Sequence, residues 1–185
     1  MTRALRMIGL AAAIAAPTLL AAQSSSNSKP ISFGISGGAS LPMGDLGDAA
    51  ESGFVVAGHV FLKPSSMTNA RFRGDVGYDK WGSKSSSNAD LRSLSFVANA
   101  MYDFPSSSMV RPYLIGGVGL YNTKVTFDLG TTTGSTKGET NVGINVGGGL
   151  TFKMTGFDTF VEAKYTNVFA DNSSSWIPIS FGVRF

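Results

Sequence analysis

The chain has 185 residues, 43% hydrophobic and 15% charged, with 23 glycines and no cysteine. The lack of cysteine excludes a disulfide framework, thiol chemistry and lipid attachment through a cysteine. The formal net charge is +3, but two of the basic residues, Arg3 and Arg6, lie in a segment that we expect to be removed. The remaining 13 basic and 12 acidic residues nearly balance, which gives no support to nucleic-acid binding.

The N-terminal segment predicts export. Arg3 and Arg6 precede an apolar run at residues 7–16, and Leu20-Ala21-Ala22 precedes Gln23. This order is typical of a secretory signal peptide, here residues 1–22 with a cut near Ala22. The apolar run is too short for a membrane-spanning helix. We expect residues 23–29 to be a short linker and residues 30–185 to form one domain.

After residue 29, the apolar residues recur with a period of two, which predicts β-strands. Each of the eight segments has close to the ~9 to 11 residues that a tilted strand needs to cross a bilayer. In chain order they are residues 31–40, 53–63, 71–81, 91–104, 111–121, 141–153, 157–167 and 176–185.

Most predicted strands have two unlike faces, although the second is apolar on both faces and glycines blur the alternation of the fifth. In the third strand, Phe72 and Val76 alternate with Arg71, Arg73 and Asp75. Successive side chains of a strand point to opposite sides of the sheet, so one face is apolar and the other charged. In the second strand we assign the sole histidine to the inward face. The final ten residues alternate in the same way and end on a phenylalanine.

The connections alternate in length. Those after the second, fourth and sixth strands are short, whereas those after the first, third, fifth and seventh are longer and rich in Ser, Thr, Gly and Asn. We expect the longer loops to be mobile, because such segments bury little apolar surface. Short turns on one side and long loops on the other are typical of outer-membrane barrels, whose termini and short turns face the periplasm.

These features together favour a closed barrel in lipid over a sandwich in water. In hydrocarbon every backbone polar group must be paired, and closing the sheet removes its open edges. We assign the apolar face to lipid, and aromatic residues near strand ends, including Trp81, Tyr121 and Trp176, to the two interfacial girdles. The charged face then lines the interior, where the predicted ion-pair network comprises Arg71, Arg73, Asp75, Asp79, Glu162, Lys164 and Arg184.

Patterns of glycine and aromatic residues at 111–121, 141–150 and 160–165, with the last strand, carry a family resemblance. The chain resembles small Gram-negative outer-membrane β-barrel domains of the OmpA/OmpX type within the porin family. The resemblance implies an all-β fold, an eight-stranded antiparallel transmembrane β-barrel in the outer membrane of a Gram-negative-type bacterium. Because the sequence stops at the eighth strand, a barrel-only protein is expected. The resemblance also implies a C-terminal signal for the barrel-assembly machinery, formed by Phe181, Gly182, Val183 and Phe185.

The sequence offers little for catalysis or metal binding. Lipid A deacylase barrels carry a His-x-Ser pair, but Val60 and Phe61 follow His59, so the match fails. One histidine, no cysteine and scattered carboxylates do not predict a metal site, and we expect no catalytic residue and no cofactor. The glycines at 147–149 lack the Lys-Ser/Thr of a phosphate loop. We interpret them as small inward residues beside bulky neighbours or as a bend in the sheet.

The expected function is therefore non-enzymatic, with a structural or surface-interaction role through the longer loops. The expected partners are outer-membrane lipid, the assembly machinery and an extracellular ligand of the loops, with no nucleic acid and a monomeric state. A narrow porin-like channel is the alternative, and a membrane-embedded lipid-modifying enzyme ranks below it. A soluble barrel that holds an apolar ligand would need apolar inward residues, whereas strands three, seven and eight carry charge on one face.

Overall fold

A computed structural model describes residues 30–84, 89–128, 133–135, 137–170 and 174–185. The predicted signal peptide and linker lie outside the described residues. The elements follow the chain as β1 Ile31–Met43, α1 Gly44–Ala49, β2 Gly53–Leu62, β3 Ala70–Gly82, β4 Ala89–Asp103, β5 Val110–Asp128, β6 Thr133–Ser135, β7 Glu139–Lys153, β8 Asp158–Val168 and β9 Ser174–Arg184.

The strands close into a barrel. Each long strand pairs antiparallel with the next long strand, and β1 pairs with β9 from Gly34↔Arg184 to Met43↔Ser175. The short β6 lies outside this ring and pairs only with the end of β5. The ring therefore has eight members, and the predicted eight-stranded antiparallel barrel is confirmed. Below, the end with the longer connections is called the loop side, and the end with the short ones the turn side.

The fifth strand is longer than predicted. We expected it to end at Tyr121, but β5 continues to Asp128 and stays paired with β4, as at Arg92↔Lys124. On the outward face the apolar residues end at Leu120, and Asn122 and Lys124 follow, because a strand that extends beyond the membrane needs no apolar outer face. The backbone ladder does not depend on the alternation of apolar residues, so the sequence pattern hides the extension.

The outward face of the barrel carries a broad apolar band. Ile35 and Val146 are both 62% exposed, and Phe33 is 58% exposed. Such a continuous apolar surface is unfavourable in water but suits hydrocarbon. This face is the one that the alternation assigned to lipid. In the described ranges, α1 is the sole α-helix, and no helix is long and apolar enough to cross a membrane.

Two aromatic clusters fill the interior at different heights. The loop-side cluster contains Leu46, Ala50, Trp81, Val97, Tyr121, Val168 and Trp176. The turn-side cluster contains Phe61, Met101, Tyr113, Ile115 and Phe160. The assignment of Trp81, Tyr121 and Trp176 to the interfacial girdles is therefore wrong, because all three are at most 3% exposed. Each of them has the inward parity of its strand, and that parity outweighs the position near a strand end.

The first long connection buries apolar side chains, whereas we expected the long connections to bury little apolar surface. It contains α1, whose Leu46 is buried in the loop-side cluster together with Ala50. Backbone hydrogen bonds attach it to the next long connection, from Glu51 N to Gly82 O at 2.8 Å and from Lys84 N to Ala49 O at 3.0 Å. The two apolar side chains give this segment a surface to bury, so it packs across the loop-side end of the barrel.

Glycines on the inward face make room for aromatic rings. A Cβ atom on Gly149 would lie 2.5 Å from the Tyr113 hydroxyl oxygen, and one on Gly182 would overlap the Phe160 ring. Gly149 lies on β7 opposite Tyr113 of β5. The interpretation of an inward small residue beside a bulky neighbour is thus confirmed for Gly149. It does not hold for Gly148, which has the outward parity of Val146 and Leu150.

Candidate functional site in the barrel interior

A charged cluster occupies the middle of the barrel. Arg73 on β3 donates to both carboxylate oxygens of Glu162 on β8, at 2.8 Å from Nη1 and 2.7 Å from Nη2. Glu162 also accepts a hydrogen bond of 2.8 Å from the Tyr113 hydroxyl. Arg73 and Glu162 are only 1% and 2% exposed. A buried charge needs such a set of partners to offset its lost hydration.

Asp75 joins this pair to further groups. Its carboxylate accepts a hydrogen bond of 3.0 Å from Arg73 Nη2 and lies 3.3 Å from Lys164 Nζ. Asn99 donates a further hydrogen bond to it at 2.9 Å. Lys164 Nζ in turn lies 3.5 Å from Glu162 Oε1. We call Arg73, Asp75, Glu162 and Lys164 the central network.

The other three residues of the predicted network have different partners. Arg71 binds Asp103 at 2.7 Å, and Arg184 binds Asp158 on the neighbouring strand. Asp79 accepts a hydrogen bond of 2.7 Å from Ser40. Their partners differ because they lie at different heights in the barrel: the eight-residue step from Arg71 to Asp79 along β3 spans about 26 Å. Arg71 and Asp79 therefore lie near opposite ends of β3, on either side of the central network.

Sequence reasoning missed one arrangement at the edge of this network. Ser36 Oγ lies 2.8 Å from His59 Nε2, and His59 Nδ1 lies 2.8 Å from Asp75 Oδ1. The three residues come from β1, β2 and β3, so no local motif contains them. The pairing Gly34↔His59 places Ser36 diagonally across from the imidazole. The shared inward parity of Ser36 and His59 is the signal that could have indicated the contact.

The order of these groups is that of a Ser-His-Asp triad. In such a triad the carboxylate orients the imidazole, and the imidazole takes the proton of the serine when it attacks. The space beside Ser36 and His59 is a cavity of about 40 Å³, which holds a few water molecules and not an acyl chain. Asp75 also interacts with Arg73 and Lys164.

The described residues contain no group of three or more metal-ligating side chains.

Solved structures with the same fold include several outer-membrane proteins. Neisserial surface protein A is 22% identical with a TM-score of 0.64, and the match covers 84% of this chain and 96% of that one. Ail of Yersinia pestis is 18% identical with a TM-score of 0.46, over 84% and 96%. The outer membrane enzyme PagL is 20% identical with a TM-score of 0.47, over 83% and 98%. At these identities the likeness concerns the fold alone.

The comparison with curated proteins finds no match. The family model of the outer membrane protein beta-barrel domain matches residues 10–185. This range spans every strand of the closed ring together with α1 and β6. The chain belongs to the outer membrane protein beta-barrel domain family.

Proposed function

We propose that the protein is a non-conducting, non-enzymatic barrel of the outer membrane of a Gram-negative-type bacterium. In this proposal the signal peptide at residues 1–22 is cleaved on export, and the loop side faces outward. The role is structural or one of surface interaction, carried by the loop-side surface, with outer-membrane lipid around a monomeric barrel. Phe181, Gly182, Val183 and Phe185 act as the signal for the barrel-assembly machinery.

The filled interior is the observation that carries this proposal. The central network crosses the barrel at mid-height, with the loop-side cluster above it and the turn-side cluster below it. Eight strands enclose a space that side chains can fill, in contrast to the water-filled channels of 16- to 18-stranded porins. A continuous aqueous path would require all three layers to move apart.

Planar-bilayer recording of the refolded protein tests the channel alternative. We expect no steady conductance above that of a protein-free detergent control, while a large porin refolded in the same way conducts. Glu162→Ala breaks the central network and leaves both aromatic clusters in place, so it should also remain non-conducting. A stable single-channel conductance from the unmodified protein would overturn the proposal in favour of a narrow channel.

Epitope insertion tests the membrane orientation. A peptide tag after Ser86, in the second long connection, should bind antibody on intact cells. The same tag after Ser107, in a short turn, should bind only after the cells are permeabilised. The two insertions lie at opposite ends of the barrel, and heat-dependent gel migration verifies that each tagged protein is folded. Labelling of the Ser107 tag on intact cells would reverse the proposed orientation.

The arrangement of Ser36, His59 and Asp75 favours a second candidate, a serine hydrolase. It ranks second because the cavity of about 40 Å³ beside Ser36 leaves no room for an acyl group. The aromatic clusters also close the interior on both sides of the site. A probe for activated serines, described in the Discussion, distinguishes the two candidates.

A further inference from the structure

The turn-side mouth of the barrel contains a cavity of about 420 Å³, here called the turn-side vestibule. It lies beyond the turn-side cluster, away from the central network. Five basic and two acidic residues line it, an excess of three positive charges. The basic residues are Lys63, Arg71, Arg111, Lys153 and Arg184.

The two acidic residues already have partners. Asp103 binds Arg71 at 2.7 Å, and Asp158 binds Arg184. The other three basic residues, Lys63, Arg111 and Lys153, form no ion pair with any residue that the structure describes. Lys153 and Arg111 do interact through space with the Asp158 carboxylate, but Arg184 already binds that carboxylate. Positive charge therefore remains in excess around the cavity, and an anion between these cations would lower their mutual repulsion.

Aromatic rings and ion pairs position two of the arginines at the vestibule. Arg71 is 4% exposed and donates a hydrogen bond of 2.7 Å from Nη2 to Asp103. Its guanidinium lies 5.6 Å from the centre of the Phe61 ring and 5.5 Å from that of Tyr113. The Arg184 guanidinium lies over the same Phe61 ring at 5.4 Å. These aromatic contacts hold both guanidinium groups in place at the vestibule.

We propose that the turn-side vestibule binds a phosphate group. Phosphate offers several acceptor oxygens and up to two negative charges, which several separate cations can share. Arginine matches this geometry with paired N–H donors, and lysine adds point charges. A carboxylate carries one charge, as the phosphodiester of a phospholipid does, but its two oxygens lie in one plane, whereas the oxygens of a phosphate group point in separate directions toward several cations.

Two sources could supply this phosphate. One is a phospholipid headgroup of the adjoining leaflet, since Met154, Phe157 and Phe185 on the rim are 52%, 40% and 57% exposed. The other is a soluble phosphate or phosphate ester. That the vestibule faces the periplasm rests on the proposed orientation, but the binding chemistry does not. The experiment below is independent of the conductance and topology measurements.

The first arm titrates inorganic phosphate into the refolded protein in a phosphate-free maltoside detergent, by calorimetry. The second arm places the protein in nanodiscs of phosphatidylcholine with a minority of phosphatidylglycerol, and native mass spectrometry counts the retained lipids. The test variant is the double substitution Arg111→Gln with Lys153→Gln. The matched control is Lys124→Gln with Lys137→Gln, which removes two charges at the loop side. Heat-dependent gel migration verifies that each protein is folded.

We expect saturable binding in at least one arm, weakened about tenfold or more in the test variant and unchanged in the control. Binding of inorganic phosphate identifies a soluble source, and retention of phosphatidylglycerol alone identifies a headgroup. No binding in either arm, or equal affinity of the test variant and the unmodified protein, overturns the proposal. Competition by acetate as strong as that by phosphate would also overturn it, because the site would then not select phosphate.

Discussion

Arg73 and Glu162 meet across the full width of the barrel. Their strands, β3 and β8, stand on opposite walls, with three strands between them in one direction and three in the other. Two charge-assisted hydrogen bonds of 2.7 and 2.8 Å join the guanidinium to the carboxylate, although the residues are 89 positions apart in the chain. The pair therefore links opposite walls that share no backbone hydrogen bonds.

Removing the carboxylate should destabilise the barrel. We expect Glu162→Ala to lower the free energy of unfolding by about 3–5 kcal/mol, because Arg73 would remain buried without its main partner. Glu162→Asp should cost less, since it keeps the charge. Urea titration in detergent micelles, followed by the fluorescence of the buried Trp81 and Trp176, measures the effect. The exposed Glu139→Ala provides the control, with a change within about 0.5 kcal/mol.

A double-mutant cycle isolates the pair itself. Replacing Arg73 and Glu162 together by Met should cost less than the sum of the two single replacements, because neither charge is then left alone. Strict additivity would show that the two side chains are stabilised independently, and would contradict a link between the walls.

An arginine substitution on the outward face tests whether that face contacts lipid. Val146 lies midway along β7 and is 62% exposed. Val146→Arg should cost about 2–4 kcal/mol in lipid, since a charge near the bilayer midplane loses its hydration. Met109→Arg, at a 72% exposed position in a short turn, should cost about 0–1 kcal/mol near the interface. Refolding into vesicles measures both, and equal costs would argue against the assigned lipid face.

Replacing an inward glycine by alanine should destabilise the barrel. Gly149→Ala places its Cβ against the Tyr113 hydroxyl and, closer still, the Val161 carbonyl oxygen. Backbone cannot move aside cheaply, so we expect a loss of about 1–3 kcal/mol of unfolding free energy. Gly74→Ala is the matched control, because a Cβ there would meet nothing within 4 Å. If the two substitutions prove equally mild in urea titration, Gly149 is not needed for close packing.

The Ser36 hydroxyl should be unreactive despite its partners. A fluorophosphonate probe labels serines that an imidazole activates, but here the probe would have to enter a cavity of about 40 Å³. We expect no Ser36-dependent labelling of the refolded protein, as detected by intact-mass spectrometry, with a known serine hydrolase as positive control. Labelling that disappears in both Ser36→Ala and His59→Gln would establish an active triad and replace the non-enzymatic proposal.

The sequence by itself determined the strand content, the lipid-facing residues and the inward charges. In the third strand, Phe72 and Val76 lie outward and Arg73 and Asp75 inward, as the alternation predicted. This succeeds because a strand's side chains change face at every residue, and the bilayer demands an apolar outer face along the full span. Outside the membrane a strand needs no apolar outer face, which is why the end of β5 was not predicted. The helix α1 was not predicted because a segment of six residues with one buried side chain, Leu46, is too short to show a helical pattern.

Only the tertiary structure decided which inward residues meet. Arg71, Asp79 and Arg184 share the inward parity of Arg73 but have different partners, because the stagger and closure of the strands set their heights. The same closure brings Ser36 to His59, and Arg73 to Glu162 on the opposite wall. The alternation of side chains along one strand tells which face each residue has, but it does not tell which residues of a neighbouring strand lie opposite them. Pairing across a closed ring fixes the register between strands, so these contacts exist only in the folded barrel.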